Sequence, residues 1–77
     1  VEYKPINLST LEELAAKNNL TEVTLETLVQ AGFVSTKDKV KILGNGAITR
    51  ALAVKANAFS KTAEAAIVAA GGSVEKL

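Results

Sequence analysis

The sequence predicts one small α/β domain, built from three short helices joined through short strands. Three observations predict it. Apolar residues recur at helical spacing in three places, around Leu11, Leu28 and Ile67. Each of these stretches follows a serine or threonine and stops at asparagine or at Ala-Gly. Short apolar or alternating runs lie between them, chiefly Lys41-Ile42-Leu43 and Leu52 to Phe59. A chain of 77 residues holds one such domain and not two.

Taken in order, Val1 to Leu8 predicts a short edge strand, because Pro5 cannot donate to a ladder. Ser9 stands where an N-cap would, and Glu12 three residues later completes a capping-box pattern. Leu11, Leu14, Ala15 and Asn18 then share one face of a first helix. Asn18-Asn19 ends it, since asparagine accepts left-handed geometry. Leu20 to Val23 reads as a connection or short strand. Thr24 is the next N-cap, with Leu25, Leu28 and Val29 as the buried stripe of a second helix. Ala31-Gly32 closes that helix, and Phe33-Val34 reads as a buried strand or a plug against it. Ser35 to Lys41 is a charged loop entering a strand.

The second half is more strongly patterned. Gly44-Asn45-Gly46 after Leu43 predicts a tight turn between strands. Leu52, Val54, Ala56 and Ala58 then fall on one face of a strand, Lys55 and Asn57 on the other. Ser60 is an N-cap, and Ala63, Ala66, Ile67 and Ala70 form one face of the third helix. Gly71 supplies its left-handed stop. An internal echo links Thr24…Ala31-Gly32 plus Phe33-Val34 with Ser60…Ala70-Gly71 plus Ser73-Val74. Ser9 to Leu20 reads as a third, degenerate copy, and such units suggest stacked layers.

Lys41-Ile42-Leu43-Gly44, Gly46, Ile48, Leu52, Val54, Ala58-Phe59-Ser60, Ala63, Ile67 and Gly71 together carry a family resemblance. Their order and spacing resemble the C-terminal signature of the large ribosomal subunit protein fifteen family. Ile6-Asn7-Leu8 with Leu11 resembles that family's strand-to-helix opening, and Val23 to Gly32 its next helix. The resemblance implies an irregular superhelical winding of strand and helix layers. It implies that residues 1–77 are the C-terminal globular domain, without the glycine- and arginine-rich N-terminal arm that threads into RNA. The implied role is a structural constituent of the large subunit that supports its assembly. The implied partners are large-subunit ribosomal RNA and neighbouring ribosomal proteins, in a cytoplasmic or organellar ribosome. A protein-docking module with little RNA contact is the alternative.

Composition bounds the chemistry. Net charge is +1 and the pI about 8.2, so the chain is not strongly basic. Loss of a basic arm would account for that. With no histidine and no cysteine, the commonest general base, the thiolate nucleophile and a zinc site all lack their residues. Ser9 and Ser60 read as caps, and Glu12 and Glu13 diverge on a helix. Glu26 and Glu64 read as exposed helix-face residues. Gly44-Asn45-Gly46 lacks the Lys-Ser/Thr of a P-loop. We expect no enzyme, no cofactor, no metal and no DNA partner, and the chain has no apolar run of membrane-spanning length. Tyr3, Phe33 and Phe59 are scattered, and both phenylalanines fit core positions, which argues against base stacking.

The candidate RNA-contacting residues are Lys37, Lys39, Lys41, Arg50, Lys55, Asn57 and Lys61. If the Val40 and Leu52 strands neighbour each other, Lys39, Lys41, Lys55 and Asn57 form one polar face. Lys61 sits in a helix first turn, where free amides and the dipole suit a phosphate. Gly44, Gly46, Ser60 and Gly71 are the turn and cap residues that would shape this region. On the residues alone, a solvated face is the preferred account of these charges, and the phosphate-facing reading comes from the family resemblance. Val68 reads as an exposed residue of the last helix.

Overall fold

The chain alternates between two small sheets, one strand in each, as it winds forward. The computed structural model describes residues 2–77. Val1, expected in the first strand, lies outside the described residues. The elements are β1 (Tyr3–Asn7), α1 (Leu8–Asn18), β2 (Glu22–Val23), α2 (Leu25–Gln30) and β3 (Lys39–Leu43). β4 (Ala53–Ala56), β5 (Ala58–Phe59), α3 (Lys61–Ala69) and β6 (Ser73–Lys76) follow. Odd-numbered strands form one sheet in the order β1-β3-β5, and even-numbered strands the other, β2-β4-β6. Every pairing is parallel. Each step from the odd sheet to the even sheet needs a crossover. α1 makes the first, residues 44–52 the second and α3 the third.

This is the mixed α/β fold with three helices and short strands that the pattern predicts, and the layers are three turns of one winding. The even-numbered residues of β3 and β4 face the common core: Val40, Ile42 and Ala56 are fully buried, Val54 nearly so. Leu11, Leu28 and Ile67 supply one fully buried anchor from each helix. Ala15, Ala56 and Ala63 are also buried, and their small side chains let helices and sheets approach closely. Each fully buried leucine or isoleucine contributes roughly 1.5–3 kcal/mol of hydrophobic stabilisation.

The helix ends follow local chemistry in most places. The Thr24 hydroxyl accepts from the Thr27 amide (3.2 Å), with the Thr27 side chain answering to the Thr24 amide (3.3 Å). The Ser60 hydroxyl accepts from the Ala63 amide (3.1 Å). α2 and α3 both end in the same device. Gly32 and Gly71 take positive φ, their amides donate to Val29 and Val68, and the next amides reach back to Leu28 and Ile67. The Ala-Gly echo in the sequence is therefore a repeated helix stop. Asn19 closes α1 at φ 57°.

Four expectations are corrected. α1 begins at Leu8 with Asn7 as N-cap, and Ser9 does not cap it. The Ser9 amide instead donates to the Asn45 carbonyl (3.2 Å), so the glycine loop caps the helix from outside. Gly44-Asn45-Gly46 does not join paired strands, since β3 and β4 lie in different sheets. Leu52 to Phe59 is not one strand: it switches sheets at Asn57, and the alternation changes phase there. Phe33 is 45% exposed, outside regular structure, while Val34 is buried. Phe59 does pack against the core.

Candidate nucleic-acid interface

Residues 44–52, the middle crossover, run between the starts of α1 and α3. Gly44 lies against α3, where a Cβ would stand 2.6 Å from the Thr62 Cβ. Gly46 lies against α1, where a Cβ would stand 2.6 Å from the Ser9 Cβ, and its φ is +89°. Both positions need glycine for close approach, and Gly46 also for its backbone angle. The loop is then fastened by side chains. Asn45 Nδ2 donates to Asn7 Oδ1 (3.2 Å). The Thr49 amide donates to Glu12 Oε1 (3.0 Å) and its hydroxyl to Glu12 Oε2 (2.6 Å). The Thr49 hydroxyl, then its amide, hold the Glu12 carboxyl below the usual glutamate range; desolvation opposes them, and Arg50 adds a lesser lowering. Arg50 Nε sits 3.9 Å from Glu12 Oε2.

The predicted cations do not form one face. Lys39 and Lys41 alternate on the outer side of β3, at the centre of the odd sheet, opposite the buried Val40 and Ile42. In register across β1 they stand beside Tyr3 and Pro5. Lys37 precedes them in the exposed bend at 35–38. There Asp38 Oδ2 accepts from the Ser35 amide (2.8 Å), which holds Asp38 below the usual carboxylate range. The Ser60 amide donates to the Ile42 carbonyl (2.9 Å), so α3 starts at the C-terminal end of β3 and brings the exposed Lys61 there.

Lys55 lies elsewhere, on the outer side of the even sheet. Its Nζ is 3.7 Å from Glu22 Oε2, and Glu75 is its register partner on β6. Asn57 is occupied at the switch between sheets. Its Oδ1 accepts from the Val40 amide (2.8 Å), and its own amide donates to the Val40 carbonyl (3.1 Å). Thus Lys37, Lys39, Lys41 and Lys61 gather around the odd sheet, while Arg50, Lys55 and Asn57 are engaged within the fold.

Two features of this region are not legible in the sequence. Glu12 has the spacing of a local capping box, yet its partner Thr49 lies 37 residues away. Tyr3 and Lys76 reach one depression beside Lys41. The period-two position of Tyr3 is the only available signal, and it carries no information about which strand lies next to it.

The fold and these surfaces define a class: a small, all-parallel α/β domain with cations displayed on a sheet and its margins. The family described as ribosomal proteins 50S-L15 and 50S-L18e, together with their 60S counterpart, matches residues 5–75. The chain belongs to this family. It is 62% identical, over all 77 residues, to the large ribosomal subunit protein uL15 of Porphyromonas gingivalis (strain ATCC BAA-308 / W83), of which it covers 52%. It is 58% identical over 77 residues to the protein of that name from Bacteroides thetaiotaomicron, again 52% of the relative. With that of Amoebophilus asiaticus it shares 54% over 72 residues, 94% of this chain and 47% of the relative. The chain spans about half the length of the curated relatives it matches.

Proposed function

We propose that this chain is the folded portion of a structural constituent of the large ribosomal subunit. It holds large-subunit ribosomal RNA by backbone and shape, beside neighbouring ribosomal proteins in the ribosome of the cytoplasm, and has no turnover of its own. The reading joins the family to one observation: Lys39 and Lys41 stand side by side on the odd sheet, without an ion-pair partner among the described residues. Lysines so displayed bind phosphates without reading bases. The remainder of the full-length protein carries the larger share of affinity, consistent with a net charge of only +1 here.

The test compares two sets of variants in binding to large-subunit RNA across a salt series. Lys39→Gln with Lys41→Gln weakens binding and lowers the salt slope by about two, one for each phosphate no longer neutralised. Lys55→Gln, whose cation already faces Glu22, changes the slope little. Equal slopes for wild type and the double variant would refute the lysine face. They would favour the docking alternative, which one feature supports: the exposed Phe33 borders a depression with Leu14 and Ala31.

A further inference from the structure

A second feature stands beside the lysine face, bordered by strands of all three turns of the winding. A depression of about 610 Å³ is bordered by Tyr3, Lys41, Phe59, Glu64, Val74 and Lys76. These residues come from β1, β3, β5, α3 and β6, so only the complete fold assembles it. We infer that this depression seats one unpaired nucleotide of the bound RNA, its base on the Tyr3 ring and its phosphate between Lys41 and Lys76. The inference rests on the RNA-binding reading above and names a subsite within it.

The chemistry argues for that occupant. Tyr3 is 44% exposed, and an aromatic ring at such a surface is the side chain on which a base stacks. Phe59 and Val74 are half-buried and fixed against the core, giving the base an apolar wall. Two lysines and one glutamate, Glu64, border the depression, which leaves it net positive for an anionic ligand. Neither Lys41 nor Lys76 has an ion-pair partner among the described residues. A paired RNA helix presents stacked bases that no concave site reaches, whereas a splayed nucleotide offers its π-face and its phosphate together. The volume lies within the range of sites that take small ligands.

Tyr3 is the only tyrosine in the chain and there is no tryptophan, so tyrosine ring resonances report this one place. The 77-residue chain is titrated with a single-stranded oligoribonucleotide, with a fully paired hairpin of equal charge, with large-subunit RNA and with large-subunit proteins. Single-stranded RNA is expected to move the Tyr3 ring protons upfield. Tyr3→Ala is expected to weaken binding about tenfold while Tyr3→Phe retains it. Lys41→Gln with Lys76→Gln is expected to flatten the salt dependence. RNA binding with unmoved Tyr3 resonances and an unaffected Tyr3→Ala variant overturns the subsite and leaves the lysine face standing. An equal upfield shift with the paired hairpin overturns the unpaired nucleotide. A shift produced only by large-subunit proteins overturns the subsite and assigns the depression to a protein partner. Absence of RNA binding at every salt concentration overturns the subsite and the RNA-binding reading together.

Discussion

Gly46 and Gly32 have nearly the same positive φ, +89° and +86°, but different surroundings. At Gly32 nothing lies within 4 Å of an added Cβ, so Gly32→Ala bears only the left-handed backbone cost, about 1–2 kcal/mol. At Gly46 the added atom meets Ser9, so Gly46→Ala adds a packing cost of about 1–3 kcal/mol. Urea unfolding of both variants is expected to rank Gly46→Ala as clearly the less stable. Glu12 presents a second case at this scale. Its carboxyl titrates below the usual range in the folded chain because Thr49 and Arg50 favour the ionised form. A lowered folded value means stability that is present above the ordinary glutamate value, about 4.3, and lost as pH falls through the lower one. Thermal melts from neutral pH to pH 3 are therefore expected to show a steeper acid-side fall for wild type than for Glu12→Gln. The variant melts lower at pH 7, and parallel curves would mean that the Thr49 hydrogen bonds contribute nothing.

The elements divide according to how local their causes are. Thr24 and Ser60 cap their helices through amides three residues away, so both starts are legible in the sequence. Thr24→Ala and Ser60→Ala should each cost about 0.5–2 kcal/mol. Ser9→Ala should stay within about 0.5 kcal/mol, because its hydroxyl caps nothing and its amide bond to Asn45 survives the change. Chemical denaturation of the three variants separates a capping serine from one that merely sits near a helix start. The start of α1 escapes a local reading because Asn45 holds it, 36 positions beyond Ser9, where no local pattern points. The strand break at Asn57 is invisible for a related reason. Leu52, Val54, Ala56 and Ala58 keep one apolar row past Asn57, and only the pairing with Val40 shows where the chain changes sheet. The sequence does place the lysine rows correctly with respect to the core, since period two decides inside from outside. Whether β3 and β4 pair is decided by long-range register, and the basic face inferred from that pairing dissolves into two surfaces.

Over the whole molecule, the near-zero net charge conceals an asymmetry between the sheets. On the outer side of the even sheet Lys55 lies between Glu22 and Glu75, whereas the odd sheet shows Lys39 and Lys41. The winding also ranks its own layers. β3 and β4 belong to the middle turn, and each is bonded to a strand on both sides. Their inward residues are at most 1% exposed, whereas Val74 on β6 is only half-buried and that strand has one neighbour. Local opening disrupts the least packing at the last turn and the most at the middle one. Native-state hydrogen exchange should therefore find the core amides of β3 and β4 exchanging only through global unfolding, with a free energy of order 4–12 kcal/mol for a domain of this size. The bonded amides of β6 should exchange through a smaller opening, less sensitive to denaturant. Fraying of β6 would also open the wall that Val74 and Lys76 give to the Tyr3 depression. If that depression holds RNA, ligand should slow exchange in β6 far more than in β3, because the middle turn is already closed before anything binds. Equal protection of β6 and β3 in the free chain would mean that the three turns unfold as one unit and that no layer is weaker than another.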